Sequence, residues 1–270
     1  MKKHPEYSRE HLLYLRGLRR NSLFVHFARI AFLLAFLLLW ELAARFEWVN
    51  PFITSSPSRV WATLVSLYEN GTLFYHVGTT LWETLLGFFI AVVLGYGIAL
   101  LLWWSEKLRK IAEPYLVVLN ALPKIALGPL IIVWCGTGSK PIVLMTVLIG
   151  LIVAVLSMLN GFMATDENKI LLLRSMGANK RQILTKLVVP SSLPAFISML
   201  KVNVGMAWIG SVMGEYMVSK AGIGYLIVYG GQVFKLDLVM TAVFVLCVLA
   251  AGMYAIVALV EKAVIRNSDR

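Results

Sequence analysis

The hydrophobic pattern of this chain comes in long blocks rather than short alternations. Apolar residues dominate six stretches: Ile30 to about Phe46, Thr79–Trp104, Pro114–Trp134, Pro141–Leu159, Pro194–Val218 and Leu238–Val260. A helix needs about 20 apolar residues to cross a bilayer core. The pattern therefore predicts six membrane-spanning helices in an all-α integral membrane protein, since only helices and closed barrels satisfy their backbone in lipid. Pro123, Gly128 and Pro129 rule out a straight, uninterrupted third helix. Gly87, Ala91, Gly95 and Gly97 give the second stretch a face of small residues, and Gly210 and Gly214 form a GxxxG pair in the fifth. Both suit close helix packing. Pro51 and Pro57 mark turns, and Val60–Tyr68 has the spacing of a short interfacial helix. Asn70-Gly71-Thr72 reads either as a glycosylation sequon or as an Asn-Gly turn.

The longest polar interruption in the second half, Thr165–Pro194, carries helix punctuation. Thr165 can cap a helix, and Asp166 and Glu167 suit its first turn. Arg174 falls in the last turn, and Gly177 stands where a left-handed residue ends a helix. Asn179 opens a second helix, with Gln182 three residues on as in a capping box. Pro190 and Pro194 punctuate the far end. The expectation is two short helices bent at Gly177. Lys180 and Arg181 oppose the dipole of the second helix. Two readings follow: a solvated basic loop, or a segment whose charge is offset by anionic lipid or by an acidic groove on a partner. In the second reading Met176, Ile183 and Leu187 are presented together to that partner.

Composition agrees with the blocks. Of 270 residues, 59% are hydrophobic and only 14% charged, which excludes an ordinary soluble domain. The net charge of +11 needs no nucleic-acid partner, because basic residues on cytoplasmic loops give the same sum. Lys2, Lys3, Arg9, Arg16, Arg19, Arg20 and Arg29 make residues 1–29 a basic arm suited to anionic membrane lipid. The arm is too long for a signal peptide, and no small-residue cleavage site follows. The arm, the 106–110 turn, the 165–194 stretch and the tail share one side; the opposite loops carry mainly Arg45, Arg59, Lys140, Lys220 and Lys235. This places both termini in the cytoplasm. The expected organisation is the arm (1–29), one membrane domain (30–264) with a cytoplasmic loop at about 160–193, and a tail (265–270). Cys135 and Cys247 read as small core residues, without zinc or disulfide spacing.

Candidate chemistry is sparse. No Gly-Lys pair occurs, so there is no Walker phosphate loop. His4, His11, His26 and His76 do not converge on a metal site, and no Gly-x-Ser-x-Gly elbow is present. Polar residues inside spans are the better clues, being costly in lipid. These are Asn120 and Lys124 in the third span and Lys201, Asn203 and Glu215 in the fifth. Lys124, beside Pro123, reads as an anion-attracting group on a path, as a snorkelling side chain, or as half of an ion pair. Lys201 admits the same readings, and Glu215 reads as a gate or a structural hydrogen bond. Trp103, Trp104, Trp134 and Tyr225 fall near span ends, as in an interfacial belt.

The stretch RSMGANKRQI, with Val189-Pro190 and Leu193-Pro194 after it, resembles the coupling loop of ATP-binding-cassette importer permeases. PFITSSPSRV, LPKIALGPLIIVWCGTG and GEYMVSKAGIGYLI resemble the nitrate/sulfonate/taurine branch of that family. The likeness covers Trp40 to Glu261. Leu171, Leu172 and Leu173 stand where the family has Glu-Ala-Ala, so a role for that glutamate does not carry over. The resemblance implies a type I importer permease bundle that is not itself an enzyme. Its implied partners are a second permease subunit, two ATPase subunits that bind ATP and Mg, and an extracellular or periplasmic solute-binding protein. Coupling to the ATPase would fall to Arg174, Ser175, Met176, Gly177, Ala178, Asn179, Lys180, Ile183 and Leu187. The implied substrate is a small anion such as a sulfonate, taurine or nitrate, or alternatively a vitamin precursor, in a bacterial cell membrane. A membrane-embedded enzyme or scaffold subunit is the rival class; an enzyme would need titratable groups converging at one depth.

Overall fold

The structure, a computed structural model, describes residues 9–268. The expectations for Lys2, Lys3, His4 and the last two residues of the tail lie outside those residues. Contacts divide the chain into two units, up to Thr63 and from Leu64.

In the first unit α1 runs unbroken over Arg9–Arg45. The described part of the basic arm and the expected span from Ile30 thus share one helix. After α1, Asn50 caps α2 (Pro51–Thr54) by accepting from the Phe52 amide at 3.0 Å. The helix α3 (Pro57–Glu69) follows and contains the predicted interfacial segment. Glu41 of α1 accepts from the backbone N–H and hydroxyl of Ser58, at 3.0 and 2.9 Å.

The second unit is a helical bundle. Gly71, with φ 69°, makes the Asn-Gly turn into α4 (Thr72–Trp104), which begins a full two turns before the expected span. Ser105 caps α5 (Glu106–Ala121), so the supposed basic turn at 106–110 is a helical first turn. Leu122 is extended before Pro123, as the proline ring requires. A 3-10 turn at Lys124–Leu127 then leads into α6 (Gly128–Cys135), bent 85° from α5. The core helix α7 (Ser139–Met163) follows. Next come α8 (Glu167–Ser175) and α9 (Lys180–Ile183). A π turn at Leu184–Val188 and α10 (Val189–Ser191) carry the chain past Pro190. The second long core helix is α11 (Leu193–Val218). The supposed outer connection contains a further helix, α12 (Ile223–Gln232), before α13 (Leu236–Ser268). Five helices among the described residues are long and apolar enough to cross a membrane, or six if the bent pair of α5 and α6 is one span.

Helices α4, α7 and α11 form the centre. A Cβ on Gly210 would lie 2.5 Å from the Thr146 Cα, and one on Gly95 would lie 2.4 Å from the Ala154 Cβ. Only glycine lets these backbones approach so closely. Gly97, by contrast, faces open space and takes no part in that seam. Thr84 donates to Ser211 at 2.7 Å across the buried contact between α4 and α11. Towards one end, Val155, Met158 and Phe162 pack with Leu102 and Met199, and Tyr96 sits edge-on to Phe162 and Phe196. Cys247 is exposed rather than in the core, while Cys135 is half-buried.

Candidate functional site

The segment after α7 folds as an elbow. Asp166, not Thr165, caps α8, accepting from the Asn168 amide at 2.9 Å. Thr165 is buried and instead meets the Ser191 hydroxyl at 3.2 Å. Gly177 has φ 83°, and the amides of Gly177 and Ala178 close the helix onto the carbonyls of Arg174 and Leu173, both at 2.9 Å. A side chain at 177 would have room but would strain the backbone. Asn179 and Gln182 form a complete capping box, with bonds of 2.8 and 2.9 Å.

Lys180 resolves the conflict with the dipole within the chain itself. Its ammonium donates to the Trp104 carbonyl at 2.5 Å and lies 5.7 and 5.5 Å from the rings of Trp103 and Trp104. The end of α4, with its unsatisfied carbonyls, thus takes the charge that α9 cannot use. Ile183 is buried in the bundle and Leu187 is half-buried, so these two anchor the elbow. Facing outward are Leu171, Leu172, Arg174, Ser175 and Met176, the last 75% exposed. A cavity of about 290 Å³ beneath the elbow is lined by Arg109, Arg174 and Lys180 with Glu106 and Glu167.

The candidate path residues do not form one cluster. Lys124 donates to the Asn120 carbonyl at 3.1 Å, capping α5 where the chain bends. Lys201 pairs with Glu261 of α13 at 2.6 Å. Asn203 is buried beside Gly150 and donates to the Met199 carbonyl at 3.1 Å. Glu215 is 1% exposed and accepts from the Gly224 amide at 2.5 Å.

A second buried carboxyl, Glu83 on α4, lies next to Glu215 and was not among the sequence candidates. The signal was available: a glutamate inside an apolar stretch is as costly there as the one at 215. No group of three or more potential metal ligands occurs among the described residues.

Residues 83–266 match the binding-protein-dependent transport system inner membrane component family. The chain belongs to that family. It is 32% identical over 194 residues to the formylaminopyrimidine transport permease protein ThiX of Halalkalibacterium halodurans, covering 72% of this chain and 77% of that protein. It is 24% identical over 226 residues to the taurine transport system permease protein TauC of Escherichia coli K12, covering 82% of each. Among solved structures it resembles an inward-facing form of the MetNI methionine ABC transporter, with TM-score 0.62, 20% identity, and coverage of 70% of this chain and 94% of that one. The fold is therefore that of a type I ABC importer permease. Members of this family are membrane subunits, not enzymes, and work with ATPase subunits and solute-binding proteins.

Proposed function

We propose that this chain and a second permease subunit, identical or related, enclose the path of an ATP-driven importer in a bacterial cell membrane. Two ATPase subunits, which bind ATP and Mg, dock on the α8–α9 elbow, and a solute-binding protein delivers substrate at the opposite face. The elbow then lies in the cytoplasm with both termini, and α12 lies outside. The observation that carries this reading is the exposure of Leu171, Leu172 and Met176 on an elbow fixed by two caps and by Lys180. Apolar side chains on a rigid, basic, polar-flanked projection suit a partner groove. In intact cells an impermeant thiol reagent should label Tyr229→Cys on α12 and spare Lys180→Cys. Equal labelling of both would overturn the arrangement.

The substrate in this reading is a small anion of the sulfonate, taurine or nitrate kind. Asn120 and Lys124, at the bend between α5 and α6, line the path, while Lys201, Asn203 and Glu215 brace its walls from within the subunit. The taurine permease relative supports an anion. A pyrimidine-type vitamin precursor is the second reading, favoured by the higher identity to the formylaminopyrimidine permease and by the pairing of Lys201 with Glu261. Hydrolysis by the complete transporter is measured with its binding protein offered each solute. Stimulation by taurine, lost in Lys124→Met, supports the anion; stimulation by formylaminopyrimidine alone selects the precursor.

A further inference from the structure

The turn that opens α12 is held from the core of the bundle. Three successive amides, those of Gly222, Ile223 and Gly224, donate to His76 Nδ1 at 3.0 Å, Thr80 Oγ1 at 2.7 Å and Glu215 Oε2 at 2.5 Å. Gly222 has φ 104°, and a Cβ on either glycine would collide with the Glu215 side chain, 2.3 Å from Oε1 for Gly222 and 2.7 Å from Oε2 for Gly224. The backbone therefore sits directly on the acid. Behind it stands Glu83, adjacent to Glu215 and to Ser139 at the start of α7. Each glutamate is 1% exposed, and Glu83 Oε2 and Glu215 Oε1 have no hydrogen-bonding partner among the described residues. Two acids are costly at this depth, and a packed bundle needs neither for its own sake. What they do here is specific: Glu215 of α11 takes the Gly224 amide of α12, and Glu83 of α4 stands between Glu215 and Ser139 of α7.

We propose that Glu83 and Glu215 are positioning residues that clasp α12 to the three core helices, so that α12 and the bundle move as one body during the transport cycle. The proposal rests on the reading of α12 as the outer face, where the binding protein docks. Movement of the core helices on ATP binding then reaches the docking face through hydrogen bonds to three backbone amides rather than through a flexible loop.

The test uses the complete transporter in nanodiscs, with Cys135 and Cys247 replaced by serine. Spin labels at Tyr75→Cys on α4 and Tyr229→Cys on α12 report the clasp by distance distribution. In Glu215→Ala a buried amide loses its acceptor, and the cost of an unsatisfied donor predicts about a tenfold fall in the ratio of binding-protein-stimulated to basal hydrolysis. The label distribution should broaden with it. In Glu215→Gln the amide oxygen still accepts from Gly224 and its NH2 can donate to Glu83, so both readouts should return to within about twofold of the parent. Gly224→Ala keeps both acids but drives a methyl against Glu215, and should copy Glu215→Ala.

An unchanged distance distribution in both Glu215→Ala and Gly224→Ala overturns the clasp. So does a glutamine variant as impaired as the alanine one, since that would demand a charge rather than a hydrogen-bonding fit. Labelling of Tyr229→Cys only from the elbow's side would overturn the sidedness reading alone, because the distances judge the clasp independently.

Discussion

Helix α4 ends in two opposite kinds of environment. At its start His76, Thr80 and Glu83 are engaged with α11 and with the turn into α12, in a setting where two carboxyls are almost fully buried. About 28 residues and about 42 Å later, Trp103 and Trp104 hold Lys180 at an exposed surface beside Met176 and Arg174. Buried polar groups at the first end hold backbone amides of the same chain and set its shape. Apolar groups at the second end are left in the open on a stiff support. A buried acid marks something the protein must hold in place; an exposed methionine on a capped elbow marks something it must offer.

Both ends hang from the α4–α7–α11 seam, so the largest effect comes from opening it. Gly210→Leu would push a side chain into the backbone of Thr146. Overpacking of this kind costs about 1–3 kcal/mol, and a backbone clash belongs at the upper limit. Membrane yield and thermal stability in detergent should both collapse. Gly205→Ala, on the same helix but facing open space, should change neither. Equal behaviour of the two variants would mean that the seam is not where the bundle is held.

The next effect separates the two ends. Gly177→Val meets no steric neighbour, but places a β-branched residue at φ 83° for about 1 kcal/mol or more. The bundle should survive that, while the angle between α8 and α9 should not. Co-purification of the ATPase subunits, or the coupling of hydrolysis to uptake, is expected to fall about tenfold with insertion unchanged. Wild-type values for both would reduce the elbow to a charged connector.

What the sequence made legible follows the range of the interactions involved. The capping box at Asn179 and Gln182, the left-handed Gly177 and the break at Pro123 are decided within a few residues, and they stand where local rules put them. The spans follow from composition alone. The clasp did not, because Glu83 meets its partners, Ser139 and Glu215, only through tertiary contacts from α7 and α11. Helix α12 was hidden by its glycines, which weaken a helix in isolation but let it sit against Glu215 and α13 here. Ile183 looked like a docking residue beside Met176, and only the tertiary contact shows that it turns inward.

A smaller effect is expected where neither end is involved. Lys201 and Glu261 pair at 2.6 Å between α11 and α13, each about a quarter exposed. Removing one partner leaves the other charge uncompensated, whereas removing both does not. Lys201→Met should lower the melting temperature by about 2 °C, and adding Glu261→Gln should restore most of it. If the double variant is instead worse than the single one and uptake is lost, Lys201 acts on the substrate and not on the bundle.

The smallest effect tests whether the elbow's stiffness comes from its own chain. Lys180 spans from α9 to the last residues of α4, with one hydrogen bond to the Trp104 carbonyl and two aromatic rings nearby. Exposed cation–π contacts are weak, so Lys180→Met should raise the opening of α9, read as amide hydrogen exchange at Gln182 and Ile183, only about two- to fivefold. Lys180→Arg keeps a donor and a cation and should lie between the two. The opening of the α12 turn, at the other end of α4, should not change, since His76, Thr80 and Glu215 hold it without any contact to α9. Exchange that rises at both ends in Lys180→Met would show that α4 transmits the loss, and the two ends would then have to be treated as one device.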